Sequence, residues 1–303
     1  MNRIYFDLSA TTPLDPRIGE FMYDLQKNTY GNPSSIHREG QAARAVVEKS
    51  RRQLANVLGC LPEEIIFTSS GSESNNMVLK GILNSEDHFI TSSYEHPSIM
   101  KILPYLEGKG VEISLVKPDK NGIVHPESVE KKIKENTKLI SIMYVNNELG
   151  TRNPIQEIAH LSQEKGILFH SDAVQAFGKI HIDVCETPLD FLSLSAHKLY
   201  GPKGIGSLFI RKGTTLEPLI YGGGQEANLR ASTENIAGIG GFGMAAELSA
   251  MDIEENLDHI TRLETYFLNQ LKVQNIDYKI NGILRAPGVF NITFPNVDGQ
   301  NLV

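Results

Sequence analysis

The 303-residue sequence has two cysteines, fewer basic than acidic residues and no long apolar run, and each scarcity excludes a class of protein. Cys60 and Cys185 are too few for a disulfide framework and fit no metal-binding spacing, so we expect free thiols, no metal site and a reducing, cytoplasmic compartment. The 29 basic and 36 acidic residues give a net charge of -7, which argues against binding to nucleic acid or an anionic membrane. The N-terminus lacks the apolar stretch of a signal peptide, and no run of about 18 apolar residues occurs, so we expect a soluble protein.

Short apolar runs alternate with amphipathic segments, several of which begin at a proline. This alternation predicts βαβ units, and therefore an α/β fold with a mainly parallel sheet flanked by helices. The predicted strands are EIIFTSS, HFITSS, VEISLV, KLISIMYV, GILFHSD, FLSLS and GSLFI. The predicted helices cover residues 73–83, 97–108, 126–136 and 154–165, and a longer, mostly helical stretch covers about 233–273.

The last thirty residues contain two further strand patterns, IDYKING and GVFNITF, and then a helix start capped by Asp298. Only about four residues follow that cap, whereas isolated helices need roughly 12 to be even marginally stable. We therefore expect a second, smaller α+β domain that is incomplete at Val303.

Ligands in open α/β sheets bind beyond the carboxyl ends of parallel strands, so the residues there are the candidates for chemistry. TSSGSESNN, after the first strand, predicts either an anion cradle of backbone N–H groups or only a capped helix start with Ser72 or Ser74 as the cap. In YEHPS, His96 precedes a proline-opened helix, where an imidazole could stack on a ring, transfer protons or be inert.

Three more strand ends carry polar residues. Asn146 and Asn147 in VNNELGT are turn residues or reach into a pocket, and Asp172 and Gln175 in FHSDAVQAFG form a site or cap a helix. Lys198 follows FLSLSAH, where it is a surface lysine or a desolvated nucleophilic amine able to form a Schiff base.

Taken together, the strand ends supply an anion cradle, an imidazole, a carboxylate and an amine. These are the requirements of a pyridoxal phosphate site: phosphate binding, ring stacking, a partner for the pyridinium nitrogen and a Schiff-base lysine. Lys203 in GPKGIG fits an exposed turn, because no Ser or Thr follows it as in a Walker P-loop. No GxGxxG motif opens the first helix, which argues against a nucleotide-binding Rossmann protein.

The sequence closely resembles the cysteine desulfurases of the NifS/IscS type, which are class V aminotransferases of fold type I. The resemblance runs over essentially the whole chain, in YFDLSATTPLDP, YGNPSSIHREG, FTSSGSESNN, YEHPSI, VNNELGT, HSDAVQAFGKIHID, SLSAHKLYGPKGIG and GGGQEANLRASTEN. It implies a seven-stranded sheet and pyridoxal phosphate as cofactor. It also implies an N-terminal segment at 1–14 associated with the small domain, a large cofactor-binding domain at 15–255 and the start of the small domain at 256–303.

The same resemblance implies a role for each candidate residue. Lys198 would form the Schiff base, Asp172 would pair with the pyridinium nitrogen and His96 would stack on the ring. Gln175 would bond the ring's phenolate oxygen, and Asn147 would lie near that oxygen and the substrate carboxylate. Phosphate contacts would come from Gly71, Ser72, Ser195 and His197, and from Thr233 of a neighbouring subunit in a homodimer.

The reaction implied is the conversion of L-cysteine to L-alanine, with the sulfur passed through an enzyme persulfide to an acceptor or scaffold protein for iron-sulfur cluster assembly or tRNA thiolation. In the family, the nucleophilic cysteine and a carboxylate-binding arginine follow the segment that resembles NITFPNVDGQNLV. Neither Cys60 nor Cys185 matches that position, so we expect both to be structural and the sulfur-transfer step to be defective. A selenocysteine lyase, a β-lyase and a non-catalytic cofactor-binding partner remain as alternatives.

Overall fold

The computed structural model describes residues 4–302 and centres on a seven-stranded sheet. Its strands coincide with the seven apolar runs, so the predicted α/β class is confirmed. They are β1 (Ile65–Thr68), β2 (His88–Ser92), β3 (Glu112–Val116), β4 (Thr137–Ser141), β5 (Leu168–Asp172), β6 (Phe191–Ser195) and β7 (Gly206–Ile210).

The strand order is β1-β7-β6-β5-β4-β2-β3. Strand β7 is antiparallel to β1 and β6, and the other neighbouring pairs are parallel. The carboxyl ends of β1, β2, β4, β5 and β6 therefore share one edge of the sheet. That edge is where ligands of open α/β sheets bind.

Nine α-helices lie in the described residues. They are α1 (Pro16–Asn28), α2 (Arg38–Leu58), α3 (Gly71–Ile82), α4 (Pro97–Met100), α5 (Leu103–Gly108), α6 (Pro126–Glu130), α7 (Ile155–Glu164), α8 (Ile236–Met251) and α9 (Ile253–Val273). Successive strand residues, such as Phe89 and Ile90, belong to two separate apolar cores. The sheet is thus covered on both faces, which explains why its strands are almost continuously apolar.

Helix α8 contains the sequence GIGGFG, although glycine is a poor helix former. A Cβ atom at Gly243 would come within 2.7 Å of the Ser50 Cα in α2, and one at Gly241 within 2.8 Å of the Met22 Sδ in α1. Close packing of α8 against α1 and α2 therefore compensates for the low helix propensity.

The structure corrects several predicted helix bounds. The helix predicted at 97–108 is two helices, because Pro104 has no N–H to donate to the carbonyl four residues earlier. The helix predicted at 126–136 ends at Glu130, after which Lys132 and Ile133 make the i to i−3 bonds of turns. Helices α1 and α2 were not predicted.

The long helical stretch divides at Asp252, where α8 and α9 meet at a 70° bend. No single helix in residues 4–302 is both long and apolar enough to cross a membrane, and α8 and α9 meet that criterion only as a bent pair. Beyond α9, β8 (Lys279–Asn281) pairs antiparallel with β9 (Asn291–Thr293), and Asp298 caps a single three-residue 3-10 turn. The division at 14/15 and 255/256 stays a prediction.

Candidate active site

A cavity of about 560 Å³ lies at the carboxyl edge of the sheet. Nine of the ten predicted site residues line it: Gly71, Ser72, His96, Asn147, Asp172, Gln175, Ser195, His197 and Lys198. The tenth, Thr233, is exposed and does not line the cavity within this chain. The strand-end positions chosen from the sequence thus converge on one place, while the role of each residue stays a prediction.

One wall of the cavity is the N-terminus of α3. Ser70 is its cap, accepting a hydrogen bond from the Glu73 N–H at 3.2 Å, so the prediction of Ser72 or Ser74 as cap is wrong. Within the described chain, the N–H groups of Gly71 and Ser72 have no acceptor, as is usual for a first helical turn. A side chain at position 71 would collide with Val174. These free N–H groups and the positive end of the helix dipole suit an anion.

Asp172 ends β5 and lies deep in the cavity, with only 5% of its surface exposed. The Asn75 side chain donates to its Oδ2 at 2.7 Å, and the Val174 N–H donates to its Oδ1 at 3.0 Å. In the part of the chain that is described, no cation lies within ion-pair distance of this carboxylate. Burial raises the pKa of Asp172, and these hydrogen bonds together with the charges of His96 and Lys198 only partly offset it.

His96 is the N-cap of α4, and its Nδ1 accepts a hydrogen bond from the Ser98 N–H at 3.1 Å. Because a backbone N–H only donates, the neutral ring carries its proton on Nε2. The Ser98 hydroxyl lies 2.8 Å from the same Nδ1 and accepts from Asn75 at 2.8 Å. One hydrogen-bond network therefore joins His96, Ser98, Asn75 and Asp172.

Lys198 follows β6 in a short 3-10 turn and points at the N-terminal segment. Its Nζ donates to the Ser9 carbonyl and, at 2.8 Å, to the Ala10 carbonyl. Gln175 donates to the same Ser9 carbonyl at 2.8 Å. Burial lowers the pKa of Lys198, against the opposing effect of the Asp172 and Asp7 charges, so its amine is more easily deprotonated than that of an exposed lysine.

Ser195 and His197 lie just before Lys198, Ser195 as the cap of the 3-10 turn and His197 within it. Ser195 is buried at the end of β6, and the Nδ1 of His197 lies 3.1 Å from the Thr11 hydroxyl. Burial, with the charges of Lys198, Lys203 and Lys179, lowers the pKa of His197 to about 4. This imidazole is therefore neutral at physiological pH and can donate or accept a hydrogen bond.

The two asparagines of VNNELGT have different environments. Asn146 is buried and accepts from the N–H groups of Glu148 and Leu149 at 3.0 and 2.8 Å, so it is a turn residue. Asn147 is partly exposed and lines the cavity. Lys203 is exposed, as expected.

Two ion pairs hold the loop at 222–235 in place beside the cavity. Arg230 binds Glu73 in the first turn of α3, with Nε–Oε1 at 2.8 Å, and Glu73 also accepts from the Ser69 N–H. Glu226 accepts from the Arg51 guanidinium at 2.8 Å and from the Phe67 N–H in β1. The loop that carries Thr233 is thus attached to the strand and helix that form the anion-binding wall.

Both cysteines lie away from the cavity. Cys60 precedes β1 and Cys185 precedes β6, so they are at the amino edge of the sheet, opposite the site. The Cys185 thiol donates to the Gly59 carbonyl at 2.8 Å, and burial is the main cause that raises the pKa of Cys60 to about 12. A thiol with so high a pKa is a poor nucleophile.

Several residues at the site were not predicted. Asn75 lies four residues after Gly71 on α3, so the same helix face brings it to the cavity, and this spacing could have identified it. Glu95 does not line the cavity but is buried beside the ends of β2 and β4, where it accepts from the Ser92 hydroxyl and the Met143 N–H, and burial raises its pKa to about 8. Ser9 and Ala10 act through backbone carbonyls, for which side-chain identity gives no signal.

Comparisons with known proteins agree with this geometry. The profile of the class V aminotransferases matches residues 4–303. A cysteine desulfurase IscS of Dictyoglomus turgidum is 44% identical over 99% of this chain and 78% of its own length. A solved NifS-like protein superposes with a TM-score of 0.95 at 38% identity, covering 99% of this chain and 84% of that one. The structure of SspA in complex with cysteine superposes with a TM-score of 0.87 at 36% identity, covering 97% and 84%.

The fold and the family profile identify the chain as a class V aminotransferase, which is a class of pyridoxal phosphate enzymes of fold type I. Within that class, the chain belongs to the cysteine desulfurase family. The resemblance predicted from the motifs is therefore confirmed.

The residues present fit the cofactor of this family. Among the described residues, Asp172 is a buried carboxylate without a counter-ion, and the Asn75 Oδ1 is buried without a hydrogen-bond donor. At its N-terminus, α3 offers free N–H groups where only glycine fits at position 71. A cationic ring nitrogen at one end and a phosphate at the other would satisfy both.

Proposed function

We propose that this chain binds pyridoxal phosphate in the cavity and acts there on L-cysteine. The observation that carries the proposal is the placement of Lys198 and the uncompensated Asp172 in one cavity whose wall is the N-terminus of α3. The family supports the cofactor, and the relative solved with cysteine supports the substrate.

Each residue has a definite task under this proposal. The N–H groups of Gly71 and Ser72, with Ser195 and His197, would hold the phosphate. Asp172 would face the ring nitrogen, and His96 would lie on the ring face with its Nε2 proton free. When bound, pyridoxal phosphate supplies an electrophilic carbon for amines and withdraws electrons from the substrate Cα.

Lys198 would move the proton of the substrate Cα. Burial lowers its pKa, so a larger fraction of the amine is neutral and able to accept a proton at physiological pH. Asp172 would keep the ring nitrogen protonated, because its buried carboxylate is stabilised by a cation opposite it. Asn147, which lines the cavity, would bind the substrate carboxylate.

The sulfur-transfer step needs a thiol beside the substrate sulfur. Both cysteines of the sequence lie in its described part, at the opposite edge of the sheet, so neither serves as that thiol. We infer that the 303-residue chain by itself binds cofactor and L-cysteine but is deficient in persulfide formation. The placement of the cysteines also favours a second candidate, a cofactor-binding partner without desulfurase activity of its own.

The exposed Thr233 supports a homodimer in which this residue reaches the neighbouring subunit's phosphate site. The sulfur acceptor, the iron-sulfur or tRNA pathway and the cytoplasmic location stay predictions.

The test compares the chain with a Cys60→Ser/Cys185→Ser double variant, each loaded with pyridoxal phosphate. L-cysteine should change the visible spectrum of both equally, while sulfide release in the presence of a thiol reductant stays far below that of the Dictyoglomus turgidum relative assayed in parallel. Family-like sulfide release by the double variant would contradict the proposed deficiency. No response to L-cysteine would contradict the proposed substrate and favour the non-catalytic partner.

A further inference from the structure

Lys179 is a cation beside the cavity to which the proposed function gives no task. It lies four residues after Gln175, where the chain turns back after β5, and its Nζ donates to the Gln175 Oε1 at 2.8 Å. The residue is only partly exposed. Among the described residues, no carboxylate lies within ion-pair distance of its ammonium. Removing an ammonium from water without a counter-ion is costly, so its placement calls for a physical reason.

The bond to Lys179 decides which way the Gln175 amide faces. A lysine ammonium only donates hydrogen bonds, so the amide oxygen must face Lys179. The amide nitrogen is then on the other side, where it donates to the Ser9 carbonyl at 2.8 Å. An amide nitrogen carries two protons, so one remains available to the cavity that Gln175 lines.

Lys179 also adds positive charge close to Lys198. Burial is the main cause that lowers the pKa of Lys179 to about 8, and the charge of Lys198 adds to it. The charge of Lys179 is likewise among the causes that lower the pKa of His197. Asp172 and Asp7 are the carboxylates whose charges act on Lys198 in the opposite direction. An anionic ligand in the cavity would therefore be attracted to this group of cations.

We propose that Lys179 is a positioning residue that fixes the Gln175 amide with its N–H toward the cavity, ready to donate to an anionic oxygen of the bound ligand. This inference rests on the proposed function, because the ligand oxygen in question is the phenolate of pyridoxal phosphate. Without Lys179, the Ser9 carbonyl alone would oppose a 180° turn of the amide, which would present the amide oxygen to that anion.

The first experiment needs no cofactor. The side-chain amide signals of Gln175 are followed by NMR in the cofactor-free chain and are assigned by their loss in Gln175→Ala. They are then compared in three variants: Lys179→Met, Lys179→Arg and the surface control Lys165→Met. We expect Lys179→Met to shift these signals and to speed the hydrogen exchange of the amide. Lys179→Arg keeps a hydrogen-bond donor, so we expect it, like Lys165→Met, to leave the signals near their wild-type positions. Unchanged Gln175 signals in Lys179→Met would overturn the proposal. If Lys179→Met does not fold, Lys179→Ala, which also lacks a donor, replaces it.

The second experiment measures the affinity for pyridoxal phosphate by titration. We expect Lys179→Met to weaken binding by about 10-fold, the size of one hydrogen bond to a charged group, and by less than about 2-fold in a Gln175→Ala background. The pH at which the bound cofactor's visible absorption titrates should rise in Lys179→Met, because a positive charge near Lys198 is lost. Equal losses in both backgrounds would overturn the proposal. If the wild-type chain itself fails to bind, the proposed function fails, while the NMR comparison still decides the role of Lys179.

Discussion

The side-chain amide of Asn75 donates a hydrogen bond of 2.7 Å to the carboxylate of Asp172, and both residues are almost completely buried. The same amide nitrogen donates to Ser98, whose hydroxyl contacts the His96 ring. The residue expected beneath the cofactor ring and the residue expected at its nitrogen are therefore positioned by one asparagine, which was not predicted.

Replacing Asn75 by Ala should weaken pyridoxal phosphate binding by about 10-fold, because it removes a hydrogen bond to a buried charged group and releases Ser98. The measurement is a fluorescence titration with pyridoxal phosphate. Asn136→Ala is a suitable control, since Asn136 is exposed and precedes β4 at the opposite edge of the sheet. Equal affinities for the two variants would mean that the network does not position the site.

Replacing Asp172 by Asn should have opposite effects on folding and binding. Burial raises the pKa of Asp172, so the stability that comes from its protonated form is present at low pH and lost as pH rises through the folded-state pKa. At neutral pH, Asp172→Asn should therefore leave the melting temperature of the cofactor-free chain unchanged or raise it by up to roughly 3 °C. Cofactor binding should weaken by at least about 10-fold, since a neutral amide lacks the charge that balances a protonated ring.

Calorimetry of the cofactor-free proteins and a pyridoxal phosphate titration check the two effects separately. A clear loss of stability in the cofactor-free variant would indicate that the carboxylate is compensated in the folded chain.

The sheet was the most predictable part of the molecule, because strands buried on both faces are continuous apolar runs bounded by polar ends. Helices α1 and α2 escaped prediction although their caps, Asp15 and His37, carry side-chain hydrogen bonds. The site residues were predictable where a distinctive side chain ends a strand, as with Asp172 and Lys198. A contact made by a backbone carbonyl, as at Ser9, cannot be predicted from side-chain identity. Nor can a contact made to a site residue from outside the cavity, as Lys179 makes to Gln175, because both depend on how the chain folds.

Replacing Arg230 by Met should destabilise the chain by about 2 kcal/mol, because Glu73 would keep its partly buried position without a cation. Burial alone would raise the pKa of Glu73, but the bonds from Arg230 and Ser69 more than offset it and the pKa is lowered. Urea unfolding measures the effect, with Arg17→Met as control, since the exposed Arg17–Asp15 pair should contribute little to stability. A destabilisation by Arg230→Met no larger than that of the control would contradict this account.

His170 should make the fold sensitive to acid. Its ring is buried between the hydroxyls of Ser141 and Ser193, at 2.7 and 2.9 Å, and burial lowers its pKa to about 3. A histidine with a lowered pKa contributes stability that is present above its unfolded value of about 6.5 and is lost as pH falls toward 3, by roughly 1.4 kcal/mol per pH unit. His170→Gln should therefore lose less stability than the wild type between pH 7 and pH 5, measured by urea unfolding, with the exposed His160→Gln as control. An identical pH dependence in all three proteins would exclude His170 as the cause.

Lys198 should bind pyridoxal phosphate in the cavity at the carboxyl edge of the sheet. The most direct measurement is borohydride reduction of the chain with pyridoxal phosphate, then peptide mass spectrometry, with Lys198→Ala and the exposed-lysine control Lys203→Ala treated in parallel. We expect a phosphopyridoxyl group on Lys198 in the wild type and Lys203→Ala proteins, and the loss of visible cofactor absorption at that site in Lys198→Ala. Labelling spread over surface lysines, or unchanged cofactor absorption in Lys198→Ala, would contradict it.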